Sequence, residues 1–195
     1  HTAAGVASSV STITSNGAPS SSLSFTLTTK ADGFTGGDGA DVFTATSGTF
    51  SINDVLKGGA GTDRINYLDS NHSTTSDIPV AAATGIEKWY VRHVETATAA
   101  EKYDFSGVVG ETEVWNDRST SSFDVTGLAD GAKFGFKGNG VTTLGDSTIA
   151  YASSTSAYNI AFDGDVEGGS GTDITVSLTG DETEGEIATA IENAV

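Results

Sequence analysis

Two octets of this sequence share one spelling. Gly36-Gly37-Asp38-Gly39-Ala40-Asp41-Val42-Phe43 and Gly58-Gly59-Ala60-Gly61-Thr62-Asp63-Arg64-Ile65 both read G-G-x-G-x-D-x-apolar. Glycines at the first, second and fourth places open positive φ to the backbone, a region that residues with a Cβ enter only with strain. The chain turns tightly there and presents carbonyl oxygens on its concave side, to which the aspartate at the sixth place adds a carboxylate. The apolar residue at the eighth place points back into a core at strand spacing. Hard oxygen donors, several of them from the backbone, suit calcium rather than zinc or copper. The nonapeptide form of this spelling is the calcium-binding repeat of parallel β-rolls. The plainer reading is a tight turn between strands that holds no ion.

A third copy, Gly168-Gly169-Ser170-Gly171-Thr172-Asp173-Ile174-Thr175, puts threonine where the apolar residue belongs. The two complete copies begin 22 residues apart, with Thr46–Leu56 between them. That spacing excludes the regular ion array of an uninterrupted nonapeptide repeat. It leaves one or a few sites, and the candidate ligands are Asp32, Gly36, Asp38, Gly39, Asp41, Asp54, Gly58, Gly61 and Asp63. A second acidic cluster adds Asp163, Asp165, Gly169, Gly171 and Asp173 as candidates, against the plainer reading of a solvated turn.

Around these motifs the chain reads as all-β. Strand patterns recur at Leu23–Thr29, Val42–Thr44, Arg64–Tyr67, Lys88–Val94, Thr112–Trp115, Ser122–Val125, Lys133–Phe136, Ser147–Tyr151, Tyr158–Phe162 and Asp173–Leu178, separated by Gly-Asp, Asn-Gly and Asp-Gly turns. Only Ile52–Leu56, Val80–Thr84 and the tail 184–195 look helical; in the tail Ile187, Ala190 and Ile191 form a short apolar stripe. Short strands without helical crossovers fit either a solenoid or a sandwich, and the glycine motifs favour a right-handed parallel β-solenoid of β-roll type. Residues 1–22 are small and polar and read as a linker or arm. The domain then runs over 23–183, and the helix at 184–195 continues into a region beyond the sequence. With His1 rather than Met at its front, the sequence reads as a processed chain or a fragment.

Charge narrows the function. Twenty-six acidic residues face nine basic ones, a formal net charge of −17. Nucleic acid is a poor partner for such a chain, because phosphate binding needs an excess of Lys and Arg. Bound cations would relieve the self-repulsion. No apolar run is long enough to span a bilayer. No G-x-S-x-G elbow is present, and the three histidines, His1, His72 and His93, show no ligand spacing, so no catalytic centre is expected. Trp89, Tyr90 and Trp115 are candidates for a sugar-binding platform, with core packing on strands as the commoner fate. The absence of cysteine, with the abundance of Thr, Ser, Gly and Asp, fits an extracellular bacterial protein.

The stretch "LSFTLTTKADGFTGGDGADVFTATSGTFSINDVLKGGAGTDRINYL" resembles the module of RTX-type surface-layer (S-layer) proteins of Gram-negative bacteria. The resemblance is carried by Leu27-Thr28-Thr29, Asp32, Gly36, Gly39, Asp41, Phe43, Asp54, Leu56, Gly58, Gly59, Gly61, Asp63 and Ile65, followed by Gly85-Ile86-Glu87. It is specific over 23–94 and thins over 95–195, where "DFSG", "VTGL" and "VSLTG" share the idiom. Lys30 replaces a usual glycine, and Trp89-Tyr90-Val91-Arg92-His93 is bulkier and more charged than the pattern. The family implies an extracellular, calcium-dependent coat protein at the cell surface that assembles with copies of itself and leaves the cell by type I secretion. Two other classes stay open: a calcium-dependent adhesin or carbohydrate-binding module that takes cell-surface polysaccharide, and the noncatalytic part of an RTX hydrolase.

Overall fold

Apolar and polar residues alternate along the longer strand segments, so each strand has one face to bury. The computed structural model satisfies them by coiling the chain. It describes residues 21–70, 83–94, 101–138, 144, 145, 147–153, 158–163 and 174–178. Those residues form fourteen strands: β1 Ser24–Thr26, β2 Gly33–Thr35, β3 Val42–Thr46, β4 Val55–Lys57, β5 Arg64–Asp69, β6 Ala83–Thr84, β7 Lys88–His93, β8 Glu101–Asp104, β9 Glu113–Asp117, β10 Phe123–Leu128, β11 Lys133–Lys137, β12 Ser147–Tyr151, β13 Tyr158–Phe162 and β14 Ile174–Leu178.

The odd-numbered strands stack in one long sheet, β1-β3-β5-β7-β9-β11-β13, which ends in β14. The even-numbered strands stack in two shorter sheets, β2-β4-β6 and β8-β10-β12. Every pairing is parallel except β13 with β14, which is antiparallel. Strands that pair in parallel with their second neighbour in sequence define a β-solenoid, so the sandwich alternative is excluded. Val42 stands beside Arg64, Arg64 beside Lys88, and Lys88 beside Glu113. Each coil therefore takes slightly more than twenty residues.

The core is a pile of aligned side chains. Phe43, Ile65, Trp89, Val114 and Phe134 occupy matching positions in successive rungs of the long sheet, and all are fully buried. Each such side chain stabilises the fold by about 1.5–3 kcal/mol relative to leaving it in water. The indole N–H of Trp89 is satisfied inside the pile by the Ile86 carbonyl at 3.1 Å. Aromatic rings fill the ends: Phe25 stacks on both Phe34 and Phe43 with centroids 5.0 Å apart, and Phe136 stacks on Phe162.

Two expected helices are corrected. At Ile52–Leu56 the chain makes a turn and then enters β4. The Asp54 carboxylate accepts the Ser51 N–H at 2.7 Å, and the Val55 N–H joins Asp32 of the preceding coil at 2.8 Å. Of the apolar residues there Ile52 and Val55 are exposed and only Leu56 is buried, so the apolar spacing served no helix face. Ala83–Thr84, the described end of the second expected helix, is strand β6. The arm over 1–20, the rest of 80–84 and the helix at 184–195 lie outside the described residues. Among those described, no helix is long and apolar enough to cross a membrane.

Candidate metal centre

The two complete glycine motifs lie one above the other. Asp41 and Asp63 are 22 residues apart, and Val42 pairs with Arg64. The spacing read above as an interruption is thus the length of one coil, with the intervening residues completing the circuit. Glycine is required because successive turns pack backbone on backbone. A Cβ on Gly58 would lie 1.6 Å from the Gly85 carbonyl oxygen, and one on Gly36 would lie 1.8 Å from that of Gly58. Gly59 and Gly61 also hold φ of +109° and +112°, with Gly37 and Gly39 carbonyls directly beneath.

The aspartates at the sixth place run as a column along the same edge of the coils. Asp41 Oδ1 accepts the Leu23 N–H at 2.6 Å, and its Oδ2 accepts the Gly37 N–H at 2.6 Å. Asp63 Oδ1 accepts the Asp41 N–H at 2.7 Å. Glu87 Oε2 accepts the Asp63 N–H at 2.7 Å. Each carboxylate therefore fastens the coil before it. Asp41 and Asp63 are fully buried, and adjacent rungs are only about 4.8 Å apart. Asp63 Oδ2 has no hydrogen-bond partner, and it converges with the Gly85 carbonyl on the place where a Gly58 Cβ would sit, at 2.4 and 1.6 Å from it. Burial pushes the Asp63 carboxyl above its ordinary value; the Asp41 N–H opposes this, and the charges of Asp41 and Glu87 add to it. A buried acid crowded by like charge, with one oxygen unsatisfied, is an electrostatic liability that a cation would remove.

The other candidates divide. Asp54 is buried and repeats the fastening on the next corner, with Oδ1 accepting the Asp32 N–H at 2.8 Å. Asp32 turns inward on its own loop and accepts the Thr28 N–H at 2.6 Å and the Thr28 hydroxyl. Asp38 is exposed, and Gly39 is buried under Gly61. Asp163 pairs with Lys137 at the edge of the long sheet, away from the column. Asp165, Gly169, Gly171 and Asp173 lie outside the described residues. Among the described residues no three acidic or histidine side chains converge on one point. An ion here would take carbonyl oxygens for much of its shell. Sequence reading missed Glu87 as the third member of the column. Its signal was present in Gly85-Ile86-Glu87, but the coil below it is 24 residues long rather than 22.

The remaining candidates have structural places. His93 is buried, with Nδ1 3.1 Å from the Ser122 carbonyl oxygen; His1 and His72 lie outside the described residues. Trp89 belongs to the core. Tyr90 and Trp115 stack on the outer face of the long sheet with ring planes 5° apart, but Trp115 is only 4% exposed. Its ring lies over Gly135, where a Cβ would come within 2.2 Å. The three aromatics therefore offer no open platform for a sugar. No protein-family model, curated protein or solved structure matches this chain.

Proposed function

We propose that this chain is a structural domain of an extracellular, calcium-stabilised surface layer, that it assembles with copies of itself, and that it carries no catalytic centre. The observation that carries the reading is the column Asp41, Asp63 and Glu87, with Asp63 Oδ2 buried, unpartnered and beside the Gly85 carbonyl. The donors are all oxygen, as a hard cation requires. Asp63 Oδ2 with the Gly85 carbonyl would hold it, and Asp41 Oδ2 with the Gly58 carbonyl repeats the pair one coil earlier. Bound calcium supplies positive charge that offsets the stacked carboxylates and part of the −17 of the chain.

Export and assembly follow from the same electrostatics. Where calcium is scarce, the acidic column opposes coiling and the chain stays loose for secretion. Where calcium is abundant, binding free energy becomes folding free energy. The resemblance to RTX-type S-layer modules over 23–94 supports the surface location. The adhesin alternative lacks the open aromatic pair that would favour it, since Trp115 is buried.

The test is thermal unfolding after exhaustive chelation, with calcium or magnesium then restored. Calcium should raise the midpoint and the β signal, and magnesium should do much less because its octahedral demand fits a carbonyl-rich turn poorly. Identical melts in chelator and in calcium refute the reading.

A further inference from the structure

The outer face of the long sheet gathers the positive charge of an acidic chain. Of its nine Lys and Arg residues, five project from this face by strand alternation. Arg64, Lys88 and Lys133 lie in one row across β5, β7 and β11, with Glu113 of β9 between the lysines. Arg92 and Lys137 lie in a second row, four residues further along their strands than Lys88 and Lys133. A sixth, Arg118, is tied to this edge through Asp117 at 2.9 Å. Between the rows runs the Tyr90–Trp115 stack, with Arg64 6.0 Å from the Tyr90 centroid and Lys133 5.4 Å from that of Trp115.

Charge on this face is not balanced. Lys88 and Lys133 share the one carboxylate of Glu113, at 3.4 and 3.2 Å. Asp117 and Asp163 serve Arg118 and Lys137. Arg64 and Arg92 have no carboxylate partner among the described residues. Six cations thus meet three carboxylates among the described residues, in a chain whose acidic residues outnumber its basic ones nearly three to one. Lys30, Lys57 and Lys102 lie elsewhere and are exposed.

We propose that this cationic face is the contact surface through which one copy of the chain docks on the acidic surface of a second copy. The inference rests on the self-assembly reading above and names the face that performs it. Complementary charge within a single sequence selects a second copy as the occupant, since each molecule offers both the basic face and the acidic remainder. Such a contact joins unlike patches. It is heterologous, so repetition gives a ring or an open array rather than a two-fold dimer. Charge of this kind sets orientation and association rate and fades as salt screens it. Bound calcium acts elsewhere: it lowers the overall repulsion that otherwise keeps the copies apart.

The experiment is sedimentation velocity of the full chain in calcium, over a concentration series and at two sodium chloride concentrations. The unaltered chain should associate, and added salt should weaken association as the screening length falls from about 8 Å to about 3 Å. Arg64→Glu with Lys88→Glu should lower the association constant at least tenfold, while Lys30→Glu with Lys57→Glu, the same charge change off the face, should leave it within twofold. If the double variant melts early, Arg64→Gln alone gives the reading, because Arg64 is exposed and pairs with no carboxylate. Equal effects of the on-face and off-face variants overturn the docking face and leave self-assembly standing. An unaltered chain that stays monomeric overturns self-assembly itself. A monomer whose basic face binds dextran sulfate but not neutral dextran assigns the face to an anionic polymer and overturns the second copy as occupant.

Discussion

Replacing Asp63 by asparagine separates the two roles that its carboxylate holds. The shape is preserved, and Oδ1 still accepts the Asp41 N–H that now lies 2.7 Å away. What changes is the charge and the identity of the second terminal atom. Without calcium, the amide replaces a buried, unpartnered oxygen by a donor beside the Gly85 carbonyl, a hydrogen bond that contributes about 1 kcal/mol. The variant should then be as stable as the parent or slightly more so. With calcium at about a hundred times its Kd, the parent gains about 2.7 kcal/mol. A neutral ligand that raises Kd to the ambient calcium concentration leaves about 0.4 kcal/mol of that gain. The loss of about 2.3 kcal/mol corresponds to roughly 5–9 °C in Tm for a chain of this size. Differential scanning calorimetry of both proteins, in chelator and in calcium, reads the four midpoints directly. The reasoning fails if Asp63→Asn lowers Tm by the same amount in both solutions, for then Asp63 only fastens a turn.

Two other outcomes follow from the same geometry. Gly58→Ala should cost at least about 1–3 kcal/mol by overpacking, with or without calcium, because its Cβ meets the Gly85 carbonyl. Gly131→Ala, at a φ of +79° but with no atom within 4 Å, should cost only the backbone strain of about 1–2 kcal/mol, and a urea titration of the pair distinguishes them. In chelator, stability should rise as pH falls from neutral towards the ordinary carboxylate range. Burial holds the Asp63 and Glu111 carboxyls above their usual values, so the folded state binds protons more tightly than the unfolded one and loses stability as pH rises through that window. Glu113 acts oppositely: burial raises it, but the Trp115 indole N–H and Lys133 outweigh burial and hold it low, so its contribution is lost only on stronger acidification. Urea midpoints against pH check the sign, and a flat or rising profile in chelator contradicts it.

The long-sheet strands β3, β5, β7, β9 and β11 were legible because each presents two or three inward residues at period two, as in Ile65, Tyr67 and Asp69 or Trp89, Val91 and His93. The short-sheet strands β2 and β4 were not, since three residues with one inward side chain, Phe34 or Leu56, contain no period to detect. Glycine and aspartate placement revealed the turn chemistry. It did not reveal that the distance between motifs was the coil length, because that follows only from the pairing of β3 with β5. The cationic face was invisible for a related reason. Its members are scattered from Arg64 to Lys137, and only the strand register brings them into rows.

The stacked turns also make chain length negotiable. Removing Val42 to Asp63, one complete circuit, would join Asp41 directly to Arg64. The Asp41 carboxylate would still receive the Leu23 N–H, and its own N–H would meet Glu87 as that of Asp63 does now. Gly36 would come to rest over Gly85 in place of Gly58, and Phe34 would face Ala83 in place of Leu56. No donor in the column of Asp41, Asp63 and Glu87 is orphaned by the cut, and only the Asp32 N–H on the next corner loses its acceptor, Asp54. A gene encoding such a coil can therefore lose or duplicate it as a unit, and the thickness of the molecule becomes a quantity that recombination can adjust.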